Sequence, residues 1–503
     1  MRDIATNEIT WVSAKLDELG ILHCGQSPST ATVNQDGAGE PYVSGPEQWH
    51  DGQVKLTKWT TAPKRIAPED SIFITVKGAG VGKMVLGTRA AIGRDVYAFE
   101  PSSHMERRFV FWAIKHSINR IVLQAQGDIP GLSKDVILDH EIAVPSRSTQ
   151  QATVERIETL FAEIDAGVES LRAARRALGL YRRSLLNAAF EGRLTADWRA
   201  ANPDLLETPD ALLARIRAKR EARHAAALAE WEEAVVAWEA GRQEGQKPGR
   251  PKRPAEFRFH KNGDGHGWPL IETACLLADP LGNGRSVKDR AGGFLVLRLT
   301  AMRNGGIDYE EAKEGDWSEA DAKPFCVAEG DIFLARGNGS KRLVGLAAIA
   351  SKPPDPVAFP DTMIRVRLDA STVHPQYFLH AWNGPIGRQQ IENAARTTAG
   401  IYKINQDHVG GIVLPLCSPA EQAEIVRILD ARLSAADALA AEIDAGLKRA
   451  DALRQSILTE AFAGRLAPQD PDAEPAADLL ARIRADRAAA PKPTRRRKSK
   501  ATA

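Results

Sequence analysis

One long amphipathic segment, present twice, constrains this sequence more than anything else in it. Residues 151–194 and 422–466 each carry apolar side chains at alternating steps of three and four, the spacing of a helix that buries one narrow seam. In the first copy the seam runs Val154, Ile157, Phe161, Ile164, Val168, Leu171, Leu178 and Leu185, with Arg175 and Arg182 intruding. In the second it runs Ile425, Leu429, Ala436, Leu439, Ile443, Ala450, Leu453 and Ile457, with Arg432 and Gly446 as gaps. Both copies close on F-x-G-R-L, at Phe190–Leu194 and Phe462–Leu466, where a glycine suits the left-handed backbone of a helix end. Gly192 and Gly464 lie 272 residues apart, while the phrase EIDAG (Glu163–Gly167, Glu442–Gly446) repeats at 279. The difference is one heptad, so each copy keeps its face.

A helix of about 40 residues is about 60 Å long, whereas an ordinary globular helix has only about 11 or 12 residues. Length therefore argues against two separate core helices. The two segments are expected to pair with each other. Ile157, Phe161, Ile164, Leu171, Leu178 and Leu185 would meet Ile425, Leu429, Leu439, Ile443, Leu453 and Ile457.

Between the helices the text is mixed. From about Leu16 to Pro145, short β-like runs (71–76, 137–144) alternate with glycine-rich loops and a helix over Arg107–Ile118. From about Gly267 to Pro415 the same grammar returns. SIFITVKGAG (Ser71–Gly80) answers DIFLARGNG (Asp331–Gly339). GLSK, DH and IAVP of the first region answer GIYK, DH and IVLP of the second. LLARIRAKR (Leu212–Arg220) is echoed by LLARIRADR (Leu479–Arg487). The order is thus variable region, long helix, variable region, long helix, an internal duplication. GRQEGQKPGRPKRP after residue 240 reads as a solvated tether, and Arg495–Lys500 as a disordered basic tail.

With 503 residues, 43% of them hydrophobic, the chain has room for three or four folding units. A net charge of +2 offers no global basic field, so an anionic partner must be met by local patches. Cys24, Cys275, Cys326 and Cys417 are scattered without a C-x-x-C, which excludes a zinc knuckle by spacing. The polar start and the lack of any apolar run near 18 residues predict a soluble, cytoplasmic protein without a membrane partner.

Catalytic constellations fail one by one. Lys77–Met84 imitates a phosphate loop, but Lys77 replaces its first glycine and Met84 its magnesium-binding hydroxyl. Lys352-Pro353-Pro354-Asp355 and Asn202-Pro203-Asp204-Leu205 do not fit an adenine methyltransferase motif. Glu311-Ala312-Lys313 resembles half of a nuclease motif, yet Asp308 stands too close to be its separate metal ligand. No H-E-x-x-H or G-x-S-x-G occurs. The chain reads as non-catalytic, with no metal or cofactor of its own.

What recurs instead is glycine-rich loops carrying cations and amides. In the first half these hold Gln26, Ser27, Ser29, Lys77 and Lys83. In the second they hold Arg285, Ser286, Lys288, Arg336, Asn338, Ser340, Lys341, Thr397, Thr398, Tyr402 and Lys403. Glycine admits close backbone approach; Arg, Asn and Gln can pair with base edges, and Lys, Ser and Thr suit phosphates. These are the candidate DNA contacts.

The layout resembles the specificity subunits of type I restriction–modification systems. The phrases that carry the likeness are Gly25-Gln26-Ser27-Pro28, Val296–Asp308, Gly330–Gly345, Thr397–Pro415, Glu421-Gln422 and both F-x-G-R-L endings. The resemblance implies a mixed α/β fold in which two target recognition domains, 1–147 and 263–417, are separated by two spacer helices, 148–195 and 418–466. These helices would pair as an antiparallel coiled coil with a pseudo-twofold internal repeat. A charged helical extension and linker (196–262) and a short helix with the basic tail (467–503) complete the chain. Double-stranded DNA, two modification subunits and restriction subunits are the implied partners; S-adenosylmethionine, ATP and magnesium would belong to them. The helices would act as a ruler between half-sites. Two other readings are a coiled-coil scaffold and a stand-alone modification or nuclease polypeptide.

Overall fold

The computed structural model describes residues 11–489, apart from 51, 124–130, 242–246, 252, 255, 262–266, 399 and 471. It divides into two compact units, Met1–Arg172 with Ile443–Ala503, and Ala173–Glu442. The division cuts both long helices, Arg147–Phe190 and Pro419–Phe462, so each unit holds one sheet-based domain and part of each helix.

Within each unit the helix segments touch in antiparallel sense. In the first, Ile157 packs with Ile457, Leu458 and Ala461, Asp165 is ion-paired to Arg454, and Leu171 lies over Gly446. In the second, Arg182 meets Asp437 at 2.6 Å, while Leu185, Ala189 and Phe190 share a core with Ile425 and Leu429. Phe161, Ile164 and Leu171 are half-buried, and Leu178 and Ile443 are buried. Two expected seam residues are not on the seam: Leu439 is 52% and Leu453 51% exposed. The covered positions after Leu429 include Leu433, Ala436, Ala440, Ile443, Leu447, Ala450, Arg454, Ile457 and Ala461, an unbroken alternation of three and four. Hydrophobicity singles out Leu439 and Leu453; geometry selects their neighbours Ala440 and Arg454. Arg454 can occupy the seam because its alkyl stem covers apolar surface while its head reaches Asp165. Gly446, a gap in the apolar pattern, is a socket: a Cβ there would stand 3.1 Å from Leu171 Cδ1.

Each long helix ends as its glycine requires. Gly192 and Gly464 both have φ of 72°. The Leu194 N–H reaches back to the Ala188 carbonyl, and the Arg465 N–H to that of Glu460. At the other end a buried glutamine ties each helix to its domain. The amides of Gln150 and Gln422 donate to the carbonyls of Pro145 and Cys417, and their Oε1 atoms accept the N–H of Glu106 and His374. Those two N–H groups open the helices Arg107–Leu123 and Pro375–Asn383, where a first turn leaves donors unpaired.

The sheets repeat one order. In the first unit it is Met84–Leu86, Ile72–Thr75, Val96–Pro101 and Gly20–Cys24, every neighbour antiparallel. In the second, Ala347–Ile349, Ile332–Ala335, Met363–Val366 and Gly282–Asn283 are again antiparallel, and Gly306–Ile307 (parallel) and Met302–Arg303 extend the sheet beyond Ala347–Ile349. Hydrogen-bond register corrects the phrase matching. The Leu132 N–H donates to the Val76 carbonyl as the Ile404 N–H does to that of Arg336. GLSK therefore corresponds to Lys403–Gln406, not to GIYK. His140 likewise corresponds to Ile412, whose carbonyls accept the N–H groups of Leu16 and Thr273.

The LLARIR echo docks each domain similarly. Leu212, Leu213 and Ile216 of the helix Pro209–Ala240 enter the second core, and Leu479, Leu480 and Ile483 of Ala476–Ala489 enter the first. The segment after Ala240 is not a solvated tether where it is described. The Pro248 carbonyl accepts the Trp231 Nε1–H at 3.0 Å, and Lys247 and Arg250 lie over the rings of Trp238 and Trp231. The tail Arg495–Lys500 lies outside the described residues.

Ile157→Ala should lower stability by about 2–5 kcal/mol, because it empties a fully buried position. Leu439→Ser and Leu453→Ser should each stay within about 0.5 kcal/mol. Chemical denaturation of the isolated chain checks both, and equal losses would contradict the revised seam.

Candidate nucleic-acid interface

Because neighbouring strands are antiparallel, the C-terminal ends of some lie beside the N-terminal ends of others. In the first unit this brings the chain after Cys24, the Thr75-to-Met84 turn and the approach to Val96 to one end of the sheet. Gln26, Ser27, Lys77 and Lys83 therefore gather there from separate stretches of sequence. A Cβ at Gly25 would collide with the carbonyls of Gly93 and Val96, so only glycine lets that loop cross. The Gln26 N–H donates to the Ile92 carbonyl at 2.9 Å, and Ser27 Oγ accepts the Arg94 N–H at 3.2 Å. Ser27 thus braces the loop, and the exposed Arg94 beside it is a cation that motif and composition do not single out. Ser29 is exposed and its carbonyl accepts the Thr32 hydroxyl, shaping a short turn. Lys77 and Lys83 are exposed at the feet of a hairpin turn whose Gly78 and Gly82 have φ of 77° and 80°. The string joins two antiparallel strands and leads into no helix, unlike a phosphate loop.

The second unit has the same end. A Cβ at Gly284 would collide with the carbonyls of Phe359 and Pro360, placing Arg285, Ser286 and Lys288, all exposed, beside the start of Met363–Val366. Arg336 follows Ile332–Ala335 at that same end and donates to the Asp361 carbonyl at 3.3 Å. Two loops far apart in sequence then join. Gly337–Asn338, Ile401–Lys403 and Arg396–Thr398 form a three-stranded sheet, with Asn338 opposite Tyr402 and Tyr402 opposite Thr397.

Strand alternation sorts the candidates on this sheet. Lys403 is paired with Arg396, so these two and Ile401 share a face, and all three are exposed. Tyr402 and Asn338 share the other face and are half-buried, Tyr402 packing on the domain core. Asn338 Oδ1 accepts the Ser340 N–H at 2.9 Å, and Ser340 Oγ accepts the Arg342 N–H at 3.3 Å. Tyr402, Asn338 and Ser340, expected as contacts, are therefore structural members of the loops. Thr397 is exposed, and the side chain of Thr398 lies outside the described residues. The missed residues are Arg396, Arg342 and Ile401, the last 44% exposed. Ile401 could have been found by counting two residues back from Lys403, whereas Arg396 reaches that face only through its pairing with Lys403.

Arg388 holds this end in shape. Its guanidinium donates to the carbonyls of Val344, Lys341 and Arg342 at 2.8, 3.3 and 3.2 Å. Burial pulls its pKa down, Glu392 opposing, yet a guanidinium starts so high that it remains charged. Lys341 and Arg342 are thus turned outward. They, Arg285, Lys288, Arg396 and Lys403 are exposed and carry no ion pair among the described residues. Six uncompensated cations at one sheet end suit a polyphosphate backbone. No group of three metal-ligating side chains occurs among the described residues, nor does any helix there have the length and apolarity to cross a membrane.

A family model described as the type I restriction modification DNA specificity domain matches residues 8–170. The chain is 25% identical over 468 residues to the EcoKI specificity subunit of Escherichia coli K12, covering 87% of each protein. It is 25% identical over 466 residues to the StySPI specificity subunit of Salmonella potsdam, again 87% of each. A solved structure concerning complex assembly and conformational transition of the type I R-M system matches with a TM-score of 0.56 at 12% identity. That match spans 91% of this chain and 98% of the other, and shows a shared fold.

Replacing Arg396 and Lys403 with alanine should weaken duplex binding and flatten its dependence on salt, by about 0.9 in log–log slope for each phosphate no longer neutralised. Tyr402→Phe should leave both unchanged. Fluorescence anisotropy titrations at several salt concentrations read the difference.

Proposed function

We propose that this chain, similar along most of its length to type I restriction–modification specificity subunits, reads a bipartite, asymmetric target, one half with the loop cluster of each unit. The observation that carries this reading is the repeated strand order with loops at the corresponding end in both domains. The two ends carry different side chains. Gln26, Lys77, Lys83 and Arg94 stand in one, and Arg285, Lys288, Lys341, Arg342, Arg396 and Lys403 in the other. Different donors at equivalent places call for different half-sites. Cations hold each domain on the phosphates, and discrimination falls to the few side chains that reach base edges.

In this reading the subunit performs no chemistry. Two modification subunits supply S-adenosylmethionine and methylate adenine at N6 on a base taken out of the stack. Restriction subunits supply the ATP- and magnesium-dependent steps. The long helices would receive these partners. Leu180 and Leu439 in the second unit, and Leu453 in the first, are apolar, exposed and off the seam, as a docking face requires.

Mapping N6-methyladenine across the host genome with and without this gene tests the proposal. One split, asymmetric motif should lose its methylation. An unchanged map in cells that express the modification subunit would sink the proposal and favour a scaffold. Adding one heptad to both long helices should lengthen the unread gap. Seven residues add about 10 Å of helix, about three base pairs at about 3.4 Å each. The same methylation map reports the new spacing.

A further inference from the structure

Target reading leaves one feature of the second unit unused, the helix Pro209–Ala240 and the chain that returns along it. Its early turns dock beside the strand Met363–Val366. Lys219 Nζ donates to Ser371 Oγ at 2.6 Å, and Arg223 donates to the Leu277 carbonyl and to Asp369. Asp369 and Ser371 follow the C-terminal end of that strand, and Leu277 is bridged to Leu368 beside them, whereas the loops proposed to read DNA lie at its N-terminal end. Between the helix and the returning segment is an open cavity of about 510 Å³. Arg217, Arg220 and His224, spaced three and four residues apart on one helix face, line it from one side, and Arg253 and Phe257 from the other. Arg217 and Arg220 lie over the Phe257 ring, 5.1 and 5.5 Å from its centroid.

We propose that this cavity binds phosphate groups, at a site separate from target recognition. Guanidinium groups match phosphate oxygens with paired N–H donors, and Arg217 and Arg253 on opposite sides of the cavity favour a ligand carrying more than one negative charge. The aromatic ring beneath two of them holds their planes in place before a ligand arrives, which lowers the ordering cost of binding. Two carboxylates also line the cavity. Glu256 is drawn to Arg258 at 3.1 Å, so one further carboxylate, Glu221, lines the cavity against the two cations Arg217 and Arg253. Arg217 and Arg253 have no ion pair among the described residues. The volume falls within the range of about 300–1,000 Å³ usual for small-ligand sites. Phosphate could reach it as a free phosphorylated compound or as part of a nucleic-acid backbone.

Calorimetric titration of the full chain with inorganic pyrophosphate, at about 150 mM salt, tests the site. Binding is expected, and Arg217→Ala with Arg253→Ala should weaken it at least about tenfold. The single charge reversal Arg253→Glu, altering only the returning segment, should do the same. Lys403→Ala should leave it unchanged, and the Arg217/Arg253 variant should keep its preference for target over non-target duplex, which separates this site from the proposed reading loops. A single-stranded oligonucleotide lacking the target then identifies the source. Competition with pyrophosphate points to a backbone and its absence to a free phosphorylated ligand, each consistent with a phosphate site. No pyrophosphate binding, or binding that survives both the double variant and Arg253→Glu, overturns the proposal.

Discussion

A narrow apolar seam on a helix too long to bury it alone is the constraint on which the rest of this structure depends. Water cannot be left along such a seam without losing the burial that stabilises it. In each unit the neighbouring segment is the other long helix, running the opposite way. Small residues make the approach close: Ala436, Ala440, Ala450 and Ala461 on one side, and Gly446 receiving Leu171. Leucines that would widen the contact point outward instead. The helix ends are then tied down by polar rather than apolar means. Gln150 and Gln422 each accept an N–H that opens a domain helix and donate to a carbonyl just before their own helix, so a buried amide anchors each long helix to its domain.

From that anchor the domains inherit their working geometry. An antiparallel order places loop, turn and strand entry at one sheet end, and the same order in both domains places equivalent loops equivalently. Gly25 and Gly284 show how little freedom remains there. Both sit where any side chain would strike two carbonyl oxygens, so both loops cross the neighbouring strand at backbone contact. The side chains that differ between the two domains project from loops pinned at these two glycines. Such a division lets two domains share a scaffold and differ in what they present.

Much of this was legible in the residues. The long helices, their glycine-terminated ends and the repeated grammar of the mixed regions follow from periodicity and from the one backbone conformation glycine favours. The loops carrying cations were also visible, because the same glycine-and-cation composition recurs in both mixed regions. The equivalence of GLSK with GIYK was a likeness of letters, and hydrogen-bond register moved it by three residues.

By itself, then, the sequence determined the two-helix, two-domain order and the segments that could meet an anion, since these depend on local spacing and composition. Tertiary structure decided which members of those segments are available. Tyr402 and Asn338 turn inward while Ile401, Lys403 and Arg396 turn outward, because pairing with Gly337–Asn338 and Arg396–Thr398 sets the face. It chose Ala440 and Arg454 over Leu439 and Leu453, because a seam is defined by its partner's surface and not by hydrophobicity alone. It also folded the proline-rich segment back over Trp231 and Trp238, a contact between residues whose own neighbours in sequence give no sign of it.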